Sequence, residues 1–263
     1  MTNFIVFLAG LGAGSFFNVC IHRLPRGESV VRPRSRCPQC GRTISWFDNI
    51  PLLSFLFLKA RCRHCRARIS WRYPLVELAA GFLWLICFRV SGLTGSFWIR
   101  GFFLSLLLVA SVSDFETGIL PDSMNFLGIG AGVVLSGMHP GLYLSCRGEA
   151  SRALLGCGLS QSVLGLLLGG GLIYLTGLVG NWIFQRDSMG GGDVKLMALI
   201  GSFLGWQKVL LVFFTAPFAA LPYALYQRWF RHEEVIPYGP FLSLAAAVQF
   251  FYGETVWRYF LRL

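Results

Sequence analysis

The sequence predicts an all-α integral membrane protein, a polytopic bundle of about eight transmembrane helices with a small cytoplasmic loop. Three observations predict it. Hydrophobic residues make up 55% of the 263 and charged residues 13%, against about 25% charged in a soluble domain, and the mean hydropathy is +0.61. Uncharged apolar runs recur along most of the chain. The one long polar stretch, residues 22–73, concentrates the basic residues and two cysteine pairs.

The runs lie at about 4–21, 74–88, 101–113, 119–138, 153–184, 196–207, 209–227 and 238–253. A spanning helix needs roughly 20 apolar residues, and Arg100 and Glu254 extend two short runs by snorkelling. Thr2 and Asn3 precede the first run, and basic residues follow it at Arg23 and Arg26. That is the reverse of a signal peptide, so residues 1–21 are expected to be a retained span. In residues 22–73, twelve Lys and Arg face only Glu28 and Asp48. Basic loops stay cytoplasmic, which puts the N-terminus outside. Alternation then makes 114–122, 185–195 and 228–237 cytoplasmic, and 91–97, 139–152 and the C-terminus external. The run 196–207 is short, about 18 Å of helix. Fusing it with the next would carry Arg228 and Arg231 outside, so two spans broken near Gly205–Lys208 are expected, with seven as the alternative. The chain divides into the first span, the loop 22–73, and a helical core over 74–263. Gly165 and Gly169 form a GxxxG pattern read as helix packing.

Within the loop, Cys37-Pro-Gln-Cys40 and Cys62-Arg-His-Cys65 are two CxxC knuckles separated by 21 residues. This spacing fits a tetrahedral zinc site, giving a zinc-ribbon-like loop. Four protein ligands leave no open position, so the metal is expected to be structural. Two disulfides or free thiols are the alternative, disfavoured in a reducing cytosol. His64, inside a knuckle, is read as a bystander. A basic zinc ribbon suits nucleic acid, but adjacent anionic lipid accounts for the charge. Membrane lipid is the expected partner and nucleic acid is not.

Acids in spans are costly and mark function. Glu77, Asp114, Asp122 and Asp193 all fall near the cytoplasmic ends of predicted spans. Ser188 and Ser202 lack a nearby histidine in sequence, and His22, His64, His139 and His232 are scattered. Two carboxylates sharing one proton can hydrolyse a peptide without a metal. Gly190-Gly191-Gly192 before Asp193 leaves the backbone open to an extended peptide. Asp122, after Pro121, reads as a helix N-cap. Asp193 could cap its own helix, and Glu77 could pair with Arg72 or Arg23.

Several segments then resemble one family, in order. Gly14-Ser15-Phe16-Phe17-Asn18-Val19, His22-Arg23-Leu24-Pro25, the two knuckles and Arg72-Tyr73-Pro74-Leu75-Val76-Glu77-Leu78 resemble the amino-terminal half of type IV prepilin peptidases. Asp114-Phe115-Glu116-Thr117-Gly118-Ile119-Leu120-Pro121-Asp122 is similar to their first catalytic segment, and Gly190-Gly191-Gly192-Asp193-Val194-Lys195 to their GxGD segment. The resemblance implies a GxGD aspartyl protease with Asp114 and Asp193 as the catalytic pair. Gly190, Gly191, Gly192, Asp122 and Lys195 form the surrounding substrate-side motif. It also implies prepilin and pseudopilin substrates cleaved after a glycine, an inner-membrane location, and N-methylation of the new N-terminus from S-adenosylmethionine. Glu77 and Gly81, an acid and a glycine at the cytoplasmic end of a span, are the candidates for holding that cofactor. A peptidase without methyl transfer and a non-enzymatic zinc-ribbon membrane protein are the competing readings. The outer loop, roughly 138–152, looks long for the family and adds Cys146 and Arg147. Cys146 and Cys157 flank it and are candidates for an external disulfide. Cys20 and Cys87 lie inside spans and read as packing.

Overall fold

The computed structural model describes residues 1–140, 143, 146, 151–185, 189–231 and 236–260, apart from the side chains of residues 151–154, 184 and 260. Ser188, His232, Arg147 and most of the outer loop lie outside the described residues. The chain is all-α. Among the described residues the extended pairing amounts to two isolated bridges, both in the cysteine loop. The described residues form eight α-helices in order: α1 (Thr2–Arg23), a short α2 (Leu53–Phe57), α3 (Arg72–Ser91), α4 (Gly95–Thr117), α5 (Asp122–Met138), α6 (Ser151–Phe184), α7 (Gly191–Tyr226) and α8 (Gly239–Phe260). Each predicted apolar run lies in one of the long helices. The short α2 inside the polar loop was not expected from its sequence.

Among the described residues, five stretches are long and apolar enough to cross a membrane: Thr2–Arg26, Arg72–Ser91, Gly95–Thr117, Leu155–Ile183 and Gly191–Arg231. Helices α5, with 17 residues, and α8, which carries Glu254 and Arg258, fall outside that set. The last stretch has 41 residues. Straight, it would reach about 60 Å, twice the hydrocarbon thickness of a bilayer. It is broken at Gly205, whose φ of 75° and ψ of 171° are non-helical and open in practice only to glycine. This is the break expected near Gly205–Lys208, and it divides α7 into two segments. Beside it, the Ser202 carbonyl accepts hydrogen bonds from the Tyr143 and Ser162 hydroxyls at 2.7 and 2.9 Å.

The chain forms two compact units, Met1–Val109 and Ala110–Leu263. In the first, α1 and α3 pack backbone to backbone. A Cβ on Gly10 would lie 2.8 Å from the Gly81 Cα, and one on Gly14 would lie 2.6 Å from the Glu77 Cα. Asn18 ties the pair, donating to the Gly14 and Tyr73 carbonyls at 3.3 and 3.1 Å. In the second unit, α7 is central. Its Gly201 meets Gly165 of α6 so closely that neither has room for a Cβ, and Gly169 lies against the Met197 carbonyl. The GxxxG pattern is thus a packing surface. Ser202 fills the space over Gly132 of α5. Trp206 and Trp257 join α7 to α8 at 5.7 Å between ring centroids. Lys208 and Glu254 form a 3.9 Å ion pair between the same helices.

Candidate active site and metal centre

Asp114 sits one turn from the C-terminal end of α4, where the helix unwinds into Gly118 at φ 64°. Asp193 is the third residue of α7, whose N-cap is Gly190. The two are 79 positions apart in sequence, yet the fold brings their carboxylates close enough to interact electrostatically. Asp114 is 7% exposed. Its Oδ2 accepts the Gly239 N–H at 2.9 Å. The Asp193 N–H donates to the Gly190 carbonyl at 3.1 Å, and its carboxylate accepts back from the Gly190 backbone. Both contacts tie Asp193 into the first turn of α7, with its carboxylate within electrostatic reach of Asp114. Tyr238 also interacts with the Asp193 charge.

Of the three glycines, among the described residues, Gly191 meets nothing within 4 Å where a side chain would stand, and Gly190 meets the Asp193 carboxylate and the Gly192 amide. Gly192 lies against Leu120. Tyr223 of α7 makes tilted ring contacts with Phe115, the residue after Asp114, and with Phe241 at 5.9 and 5.6 Å.

Asp122 differs from expectation. The N-cap of α5 is Pro121, with no side-chain cap. Asp122 is 58% exposed and binds Lys195 Nζ with both oxygens at 2.7 Å. A cation one turn into α7 wins over the local amides because charge–charge hydrogen bonds are the stronger kind.

The four loop cysteines converge, with all four sulfurs within 4.8 Å of one another. Each knuckle is a tight turn of the same design. Cys37 N–H donates to Arg42 O and Gly41 N–H to Cys37 O, while Cys62 N–H donates to Ala67 O and Arg66 N–H to Cys62 O. Cys37 and Cys65 sulfurs lie 3.8 Å apart. A tetrahedron with metal–sulfur bonds of about 2.3 Å has edges of about 3.8 Å, so the donor set fits zinc, and none of the four is in a disulfide. Amide groups of Cys65 and His64 bring the Cys62 thiol down to about 7, as suits a thiolate ligand. The His64 ring accepts from Arg42 at 3.1 Å, consistent with a bystander. Asp48 clamps Arg63 with hydrogen bonds of 2.6 and 2.8 Å, which holds its carboxyl below the usual range.

Glu77 is built into this loop. Its Oε2 accepts the Leu52 N–H at 2.9 Å, and Ser15 donates to the same carboxylate. Leu52 takes a φ of 60° to present that amide. Arg23 instead donates to the Ser29 and Pro33 carbonyls, and Arg72 lies over the Tyr73 ring at 4.5 Å. A cavity of about 390 Å³ opens here, lined by Cys37, Cys62, Asn18, Arg72 and Glu77 among others. Asn18, 3% exposed, has no partner for its Oδ1. Gly81 is elsewhere, packed under Phe7 and Leu11 of α1. Cys146 and Cys157 are joined as a disulfide, with Cα atoms 5.8 Å apart.

A carboxylate pair on glycine-flanked helix ends has the make-up of an aspartyl protease site. Sequence comparison agrees. Residues 8–90 match the Bacterial Peptidase A24 N-terminal domain and residues 101–225 match the Type IV leader peptidase family. The chain belongs to the type IV leader peptidase family. It is 33% identical to a prepilin leader peptidase/N-methyltransferase of Burkholderia pseudomallei, over 93% of this chain and 83% of that protein. Proteins of the same description from Klebsiella pneumoniae and Myxococcus xanthus are 40% and 41% identical, each over 78% of this chain. The match covers 86% of the Klebsiella protein and 57% of the Myxococcus protein. No solved structure matches the chain.

Proposed function

We propose that the chain is a membrane aspartyl endopeptidase that removes the basic leader of type IV prepilins and pilin-like secretion subunits after a glycine, and that it N-methylates the new N-terminus. The meeting of Asp114 and Asp193 carries the reading. Close like charges cannot both ionise, so the pair shares one proton. The ionised carboxylate takes a proton from water as that water attacks the scissile carbonyl, and the protonated one donates to the carbonyl oxygen. Collapse of the tetrahedral species passes a proton to the leaving amine and restores the shared proton. The open backbone at Gly190 and Gly191 gives an extended substrate room beside Asp193. The exposed Asp122–Lys195 pair flanks that approach.

The methyl donor, S-adenosylmethionine, supplies an electrophilic methyl group when bound. The cavity beside the cysteine loop has the size of a cofactor site. Glu77 and the unpaired Asn18 Oδ1 would accept from its cationic end, and Arg72 would face its carboxylate. Gly81 contributes indirectly, by letting α1 approach α3. Zinc on Cys37, Cys40, Cys62 and Cys65 would hold the cavity walls in place without entering the chemistry. The basic loop and this chemistry lie on the cytoplasmic face of the inner membrane, with the N-terminus outside. Incubating purified protein in detergent with a prepilin and S-adenosylmethionine and weighing the product tests cleavage and methylation together.

A further inference from the structure

The segment leading into α8 touches the carboxylate pair at Gly239 and lies within electrostatic reach of it at Tyr238. Gly239 donates its N–H to Asp114 Oδ2, and Tyr238 interacts with Asp193. Gly239 does not have a left-handed φ, so backbone freedom is not what its position demands. Space is. A Cβ built there would lie 2.8 Å from Asp114 Oδ2, 3.2 Å from its Cγ and 3.3 Å from its Cβ. All three nearest atoms belong to the aspartate, which occupies the place of the missing side chain. Other tightly packed glycines, such as Gly165 and Gly201, meet helix backbone instead.

We infer that Gly239 is a positioning residue for the peptidase reaction, orienting Asp114 with its amide and leaving the room in which that carboxylate meets Asp193. This rests on the peptidase reading. The amide is one of the donors left without a partner at a helix start, so Asp114 satisfies it while being held. A methyl group at 239 must displace Oδ2, and misplacement of a catalytic group by about 1 Å costs on the order of 10²-fold in rate.

The test compares Gly239→Ala with Gly130→Ala, a change on α5 where a Cβ meets nothing within 4 Å. Cleavage of a prepilin is measured as kcat and KM, beside membrane accumulation and methyl transfer to an already cleaved pilin. Gly239→Ala should lower kcat about 10²-fold with KM within about threefold, while accumulation and methyl transfer match Gly130→Ala. Cleavage equal to that of Gly130→Ala overturns the inference, and so does a parallel fall in cleavage and methyl transfer. Should Gly239→Ala fail to accumulate, the same change is made in an Asp114→Gly background. There all three crowded atoms, Oδ2, Cγ and Cβ, are gone, and accumulation should equal that of Asp114→Gly alone; continued loss means the crowding is not with Asp114. A wild-type protein that leaves prepilin intact removes the peptidase reading itself.

Discussion

The two compact units, Met1–Val109 and Ala110–Leu263, handle polar chemistry in opposite ways. The first gathers four of its cysteines in a loop between helices, where turns of six residues or fewer shape each knuckle. The second keeps its carboxylates at helix ends and places them by contacts between distant segments, Asp114 with Gly239 and Asp122 with Lys195. The loop strategy gives a closed cluster and a roomy cavity. The helix-end strategy gives a pair held by few hydrogen bonds and flanked by bare glycine backbone. Two activities in one chain are therefore expected to separate by unit, and mutations should show it.

The largest separation comes from the acids. Asp114→Asn or Asp193→Asn should lower cleavage on the order of 10³-fold or more, while methyl transfer to an already cleaved pilin persists. Asparagine can still accept the Gly239 or Gly190 amide, so loss of activity without loss of protein isolates the proton chemistry. Asp122→Asn removes only an exposed ion pair, worth about 1 kcal/mol or less, and should change cleavage by no more than a few-fold in the same assay.

Glu77→Gln reverses the pattern. Its amide oxygen can still accept from Leu52 N–H, but the charge is gone. Methyl transfer should fall about tenfold, the loss expected for one charge-assisted hydrogen bond, with cleavage near wild type. Gly81→Leu drives a side chain into Phe7 and should reduce the amount of protein in the membrane, lowering both activities. Equal loss of both in Glu77→Gln would break the division between the units.

The cysteines sharpen the comparison. Replacing Cys37 or Cys62 by Ser should abolish the one zinc per chain that elemental analysis is expected to find, and lower methyl transfer more than cleavage. Zinc-free protein from a reducing, chelator-free preparation contradicts the site. Cys146 and Cys157 are 11 positions apart and bonded, whereas the four loop cysteines are not. The proposed topology, with the disulfide outside and the loop inside, would account for that contrast. Cys157→Ser should cost about 2–3 kcal/mol of stability in the loop-entropy picture, read as a lower melting temperature, with cleavage unchanged.

What the sequence discloses follows contact range. Apolar runs, knuckle turns and the break beside Gly205 are local patterns, and each is found where it was read. Asp122 was read locally as a cap, but its partner Lys195 is 73 positions away. Gly239 was not singled out at all. Pro237-Tyr238-Gly239-Pro240 before an apolar run was the available signal, but nothing local indicates that an aspartate 125 positions earlier fills the glycine's empty space. The Leu52 amide on Glu77 and the Tyr143 hydroxyl on Ser202 were hidden for the same reason, being made by loops folded back onto helices.

The central claim is that Asp114 and Asp193 act as one proton-sharing pair that cuts a prepilin. Mass spectrometry of a prepilin incubated with purified protein and S-adenosylmethionine, beside Asp193→Asn, measures it directly. The wild type should yield a product shortened by the leader up to its glycine and heavier by one methyl group, and Asp193→Asn should leave the substrate intact. Undiminished cleavage by Asp193→Asn would contradict the account.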